Sequence, residues 1–235
     1  MNDLKELNLL LEHVNKLDPS PEFLPIKSVT SKSIIVVSCG LLEKYLKESF
    51  MEFIEELNNH NIPKKYIKDQ LWITNKNNTL EALRLISENR LDSDYGNVVI
   101  DYASSFKKDK RMNKPVLIKE AFSIMKYNPG SATIKDMFDN IGIKIFRKEL
   151  FNIKFVNVGI AKDKLDSLIS LRNSFAHGDS GVTIPSLSDV QEYLEFLEDF
   201  IFILNKVLND EISDIEIKFY IDLFKFYYSN LSATA

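Results

Sequence analysis

Apolar residues return every third or fourth position along most of this chain, and that period belongs to α-helices. Leu4, Leu7, Leu10, Leu11, Val14 and Leu17 outline a first amphipathic helix over residues 3–17. Pro19 and Pro21 stop it and Pro25 prolongs the break, because proline lacks the N–H that a helix interior needs. A long helix is expected next, over about residues 30–59. Its apolar positions are Ile34, Val37, Leu41, Leu42, Tyr45, Leu46, Phe50, Phe53, Ile54 and Leu57. Gly40 in its middle costs about 1 kcal/mol against alanine. Close approach of another helix explains it better than space left for a ligand or partner chain.

Asn58 to Asn61 and Pro63 make a turn. A short helix from Lys64 to Ile73 would face Tyr66, Ile67, Leu71 and Trp72 inward. Asn78-Thr79-Leu80-Glu81 has the form of a capping box, opening a further helix through Asn89. Val98-Val99-Ile100 fits a short strand or a piece of helix. Residues 116–127 read as helix, Asn128-Pro129-Gly130 as a turn, and Thr133 starts a short helix that closes near Gly142. Residues 143–160 alternate irregularly. Ser188, with Gln191 three residues on, caps a strongly apolar helix to Leu208. From 212 to 229, Ile215, Ile217, Phe219 and Ile221 alternate like a strand, while Ile212, Ile215, Phe219, Leu223 and Phe226 fit a helix. Ser213 and Glu216 at cap spacing favour the helix. With neither repeat nor linker, residues 1–235 are expected to form one all-α domain. Its core helices would lie at about 30–59, 162–177 and 188–208, with short helices inserted between them.

The stretch from Ala161 to Gly178 carries the distinctive chemistry. Leu165, Leu168, Ile169, Arg172, Phe175 and Ala176 fall on one helical face, which predicts its burial. An arginine within such a stripe is costly unless something pairs it. His177 ends the helix, and Gly178 stands where a C-cap glycine belongs. The five-residue step from Arg172 to His177 turns about 500° and rises roughly 7.5 Å. The two therefore leave different faces; they meet at one phosphate-sized group only if the helix frays at Gly178 and the long arginine reaches along the axis. A phosphate site is one reading. The other is that Arg172 pairs with a buried carboxylate and His177 only ends the helix.

At these residues the chain resembles a known family. Arg172-Asn173, followed by His177, has the form of the Arg-x4–6-His motif of the HEPN superfamily, in its shortest spacing. The run Leu171-Arg172-Asn173-Ser174-Phe175-Ala176-His177-Gly178-Asp179, with Leu165 and Leu168 ahead of it, is most similar to the RiboL-PSP branch. Residues Ile34 to Phe50 resemble that branch's long first core helix. The resemblance implies a HEPN-like helical bundle and a homodimer through the Arg172–His177 helix. It also implies metal-independent endoribonuclease activity on RNA, with Arg172, Asn173 and His177 as catalytic residues. By the same resemblance the protein would serve as a toxin or antiviral defence effector, with an antitoxin or defence-system protein as partner. An inert HEPN domain that binds nucleic acid or a partner protein is the alternative.

Composition narrows this only a little. A net charge of −4 over 235 residues argues against a general nucleic-acid coat but leaves room for a local basic patch. Lys107, Lys108, Lys110, Arg111 and Lys114 form the densest such patch, as an RNA-backbone contact or as a solvated loop. Glu43 and Lys44 on the long upstream helix are candidate supports for the site, with a solvated face the plainer reading. The single Cys39 lies in an apolar run, which suits a buried free thiol. His13 and His60 lack spaced Cys or carboxylate companions, so no metal is expected. No glycine-rich phosphate loop occurs, so no nucleotide cofactor is expected either. The aromatic run from Phe219 to Tyr228 suits a core or a dimer interface. The N-terminus does not read as a signal peptide and the apolar runs fall short of a membrane span, so a cytoplasmic protein without membrane contact is expected.

Overall fold

The computed structural model describes residues 2–17, 20–60, 62–105, 116–152, 154–155, 157–179 and 181–232. Among them are eight α-helices and no strand, so the fold is all-α as the periodicity requires. The helices are α1 (Asn2–Asn15), α2 (Leu24–Asn59), α3 (Asp69–Ser87), α4 (Tyr95–Ser105), α5 (Ser131–Asn140), α6 (Lys148–Phe151), α7 (Val158–His177) and α8 (Leu187–Ser232). The basic cluster Lys107, Lys108, Lys110, Arg111 and Lys114 lies outside the described residues.

The chain divides into two compact units, each built from three separate segments. The first comprises Met1–Leu46, Met125–Asp136 and Ile145–Leu204. Its core joins Leu4, Leu11 and Val14 of α1, Ile34, Ile35, Leu42 and Leu46 of α2, Leu165 and Leu168 of α7, and Val190, Leu194 and Leu197 of α8. A run of rings fills the space between α6 and α8. Phe151 lies 5.9 Å from Phe200, and Phe155 lies 5.3 Å from Phe196. Leu10, expected on the buried stripe of α1, is exposed.

The second unit comprises Lys47–Ile124, Met137–Lys144 and Asn205–Ala235. Phe50 meets Phe138 edge to face at 5.0 Å. Lys68 ties α8 to the α5 exit by bonding Glu211 at 2.7 Å and the Gly142 carbonyl at 3.1 Å. Three asparagines account for two errors of sequence reading here. Asn58 both donates to and accepts from the backbone of Leu117, Asn75 accepts from the Ile118 amide, and Asn78 donates to the Ala121 carbonyl. Residues 116–127 therefore take backbone partners from these side chains and form only a 3-10 turn at Lys119–Phe122, not the expected helix. Asn78 and the buried Thr79 belong to the interior of α3, which runs unbroken through the expected capping box.

Other boundaries move for local reasons. Pro25 stands in the first turn of α2, where a missing N–H costs nothing, so the helix starts at Leu24 and not near Thr30. Residues 64–66 form a 3-10 turn, and Val98 to Ile100 are helical within α4. The cap of α8 is Ser186, not Ser188. Its hydroxyl accepts from the Asp189 amide at 3.1 Å while the Asp189 carboxylate accepts from the Ser186 amide at 2.9 Å. No break separates residues 208 and 212, so α8 continues as one helix to Ser232. Its aromatic end is only partly packed: Phe219 meets Tyr66, but Tyr220, Phe224, Phe226 and Tyr227 are exposed. Gly40 is exposed, and an added Cβ there would meet nothing within 4 Å. Close helix packing is thus not the reason for this glycine. By length and composition the stretch Pro21–Asn59 passes for a membrane span. Ile34, Ile35, Leu42 and Leu46 within it are nonetheless core residues, and the core helix of a globular protein has the same composition.

Candidate active site

The end of α7 is shaped by its two caps and by α2. Asn157 opens the helix by accepting the Ile160 amide at 2.9 Å, which satisfies one of the first-turn donors. At the other end Gly178 adopts φ 70°. The Gly178 amide donates to the Phe175 carbonyl at 3.4 Å and the Asp179 amide to the Ser174 carbonyl at 3.1 Å. This pairing of six-to-one and five-to-two bonds closes a helix sharply. His177 is therefore the last helical residue, and its side chain is exposed.

α2 runs antiparallel beside α7. Cys39 Sγ lies 3.9 Å from the Leu168 carbonyl oxygen, and Lys32 Nζ lies 5.9 Å from the centre of the Phe175 ring. Level with Leu165, Leu168 and Ile169, α2 presents the buried Leu42, Cys39 and Ser38, and these three residues of α7 are buried in turn. Two turns beyond Leu168, level with Phe175, α2 presents the exposed Lys32 and, next to it, the exposed Ser33. The stripe expected to stay buried surfaces toward this end: Arg172 and Phe175 are half-buried and Ala176 is exposed, and Asn173 beside Arg172 is half-buried as well.

Arg172 finds a neutral partner. Its Nη1 donates to Asn173 Oδ1 at 3.1 Å. A guanidinium can only donate, so the amide must turn its oxygen toward it. That contact leaves the positive charge uncancelled. The same oxygen accepts from Asn128 Nδ2 at 2.7 Å. Behind these groups sits Cys39, 2% exposed, the buried free thiol expected from its apolar run. Burial pushes this thiol up to about 12, against the opposing pull of the Arg172 charge. Chemically, the helix end offers a fork of cationic donors, a second cation at Lys32, an amide, and an accessible imidazole.

The other candidates lie elsewhere. In the register that pairs Lys32 with Phe175 and Cys39 with Leu168, Ile35 is level with Arg172. The half-buried Glu43 and the exposed Lys44 are then about 12 Å further along α2, at 1.5 Å per residue. His13 Nδ1 bonds the Leu9 carbonyl at 2.9 Å, and His60 pairs with Glu216. His13 is thus tied down within its own helix, and His60 by a carboxylate of α8. Among the described residues no group of three His, Cys, Asp or Glu is placed to hold a metal ion. Sequence reading missed Lys32 and Asn128. Lys32 precedes the apolar run of α2 as an ordinary surface lysine, and Asn128 was legible only as part of a turn.

No curated protein and no solved structure gives a significant match to this chain. The RiboL-PSP-HEPN family model does, over residues 2–227. The match begins in α1, takes in α2 and the Arg172–His177 end of α7, and reaches far into α8; the chain belongs to the RiboL-PSP-HEPN family.

Proposed function

We propose that this protein is an endoribonuclease that cleaves RNA without a metal ion, at a site formed by two copies of the Arg172–His177 helix. The carrying observation is the pairing of Arg172 with a neutral amide beside an accessible histidine at a sharply capped helix end. A charge held in place but not neutralised is what binding of a phosphate requires.

The reaction is attack of a ribose 2′-OH on the neighbouring phosphorus. The bond to the 5′-oxygen breaks, leaving a 2′,3′-cyclic phosphate and a free 5′-OH. One proton leaves the 2′-oxygen and one reaches the 5′-oxygen. An imidazole can carry either, because its ordinary titration range spans neutral pH. Arg172 would bracket the non-bridging oxygens, where charge builds up in the transition state. The Asn173 amide would add a donor. Each chain supplies one histidine at this helix end, so a second copy supplies the other. α2, the neighbour of α7, leaves Ile26, Val29 and Val37 exposed and opens at Gly40, which favours self-association. Within the HEPN family this chemistry suits a cytoplasmic toxin or defence effector held in check by a partner protein.

The test is incubation of purified protein with total RNA in EDTA, beside His177→Ala. Cleavage should persist in EDTA and fall by at least about a hundredfold in the variant, the usual scale for loss of a general acid or base. Equal cleavage by both proteins would place the activity elsewhere. No cleavage by either would favour an inert domain that binds RNA or a partner.

A further inference from the structure

We propose that Asn128 is a positioning residue of this site, acting through Asn173 to aim the Arg172 fork and to fix which end of the Asn173 amide meets the substrate. The proposal rests on reading Arg172 as the phosphate-binding group.

Arg172 and Asn173 are neighbours in sequence, so their side chains leave the helix about 100° apart. Adjacent helical residues do not ordinarily face each other. A single bond between them would be a loose tether. Here the Asn173 oxygen receives two donors, Arg172 Nη1 at 3.1 Å and Asn128 Nδ2 at 2.7 Å. An amide oxygen has two lone pairs, and both are used. The Asn173 amide is thereby held in one sense, and its NH2 group is the end left to meet a ligand. For a phosphate that is the useful sense, because the reverse would present an oxygen to an anion.

Asn128 can serve as this anchor because its own position is built. The Gly130 amide donates to the Asn128 carbonyl at 2.8 Å, closing a tight turn around the buried Pro129. The next residue, Ser131, is gripped by Asp166 of α7: its amide lies 2.7 Å from one carboxylate oxygen and its hydroxyl 2.6 Å from the other. Gly130 has no Cβ where one would stand 3.1 Å from that carboxylate. Asp166 and Asn173 are seven residues apart, two turns along the same face of α7. The turn is thus fastened to the motif helix at two points, and the second is the Asn173 amide.

The experiment uses the full chain with Asn128→Ala, Asn128→Asp, Asn173→Ala and the Asn128→Ala/Asn173→Ala pair. Cleavage of one RNA is measured at saturation, together with the ordering of the Arg172 guanidinium by nitrogen-15 NMR without RNA. Asn128→Ala should slow cleavage about tenfold, the scale of a small misplacement of a catalytic group. Asn128→Asp keeps the shape but replaces a donor by an acceptor, so it should be slower still. A residue that merely fills space would give the opposite order, since the aspartate is nearly isosteric and alanine leaves a hole. The paired variant should be no slower than Asn173→Ala alone, because Asn128 acts through that amide. The Arg172 signals should sharpen only where Asn128 and Asn173 are both present. Asn128→Asp as active as the wild type, losses that multiply in the paired variant, or a guanidinium indifferent to Asn128 would each overturn the proposal. A wild type that cleaves nothing, but orders Arg172 only when Asn128 is present, would sink the ribonuclease reading and leave the positioning role standing.

Discussion

Cys39 and Arg172 show how one buried neighbour can be chemically silent beside a polar cluster. The thiol is held up at about 12 mainly by its removal from water, and its ordinary value is 9.0. A folded-state value above the unfolded one means that the folded protein holds this proton more tightly. The resulting stability is whole below about pH 9, declines as pH rises, and is lost as pH passes through about 12. The wild type should therefore lose stability between pH 9 and 11 more steeply than Cys39→Ala, as read by denaturant unfolding at each pH. At neutral pH a thiol reagent should modify Cys39 only as fast as the chain opens, since the thiolate is the reactive form. Rapid labelling of the folded protein would contradict the burial. The site's other residues differ in legibility. Arg172 and His177 stood out because an arginine in an apolar stripe and a histidine before a cap glycine are local patterns. Asn128 did not, because its partner lies 45 residues away.

Gly178 sets the end of α7, and with it the place where His177 leaves the helix. Its φ of 70° is the left-handed conformation, and no atom lies within 4 Å of an added Cβ. Gly178→Ala should therefore cost only backbone strain, about 1 kcal/mol. In a chain of this size that lowers Tm by roughly 2–4 °C, measurable by calorimetry. An unchanged Tm would mean that the cap contributes nothing. Elements with long 3.6-residue periods were the legible ones. The buried stripes of α1, α7 and the first half of α8 follow the spacing of Leu11 and Val14, Leu165 and Leu168, and Val190 and Leu194. The errors cluster where polar side chains replace backbone partners. Asn58, Asn75 and Asn78 each satisfy a segment more than 40 residues away, and no local pattern reports such a bond. Capping spacing alone misplaced two helix starts, since Ser188 and Asn78 have the right neighbours but the wrong tertiary context.

For the molecule as a whole, the proposed reaction needs two imidazoles and would commit the protein to a twofold assembly. A twofold interface sets identical patches opposite each other, so in that assembly two arginines would come close on a chain of net charge −4. Anionic RNA would offset that local repulsion, and added salt should weaken binding. Mass measurement in solution should find a dimer. Titrating wild type with excess His177→Ala chains should then pull activity below that of the wild type alone, because mixed pairs lack one proton carrier. A monomer cleaving at full rate, or mixed pairs as active as the parent, would rule out the shared site.

The interleaving of the two units bears on how the protein comes into being during synthesis. Neither unit is a contiguous stretch: the one holding Arg172 needs residues from Met1 to Leu204, and the other draws on Asn205–Ala235. Domains made of continuous chain can fold as they leave the ribosome, at about 5–20 residues per second. Here the early helices α1 and α2 must wait for α8 before either core closes. The motif helix is translated before the strip of α8 that completes its core, so a nascent chain carries Arg172 and His177 without a finished scaffold. For the ribonuclease proposed above, this order of assembly keeps the site unfinished until the α8 residues up to Leu204 have been made.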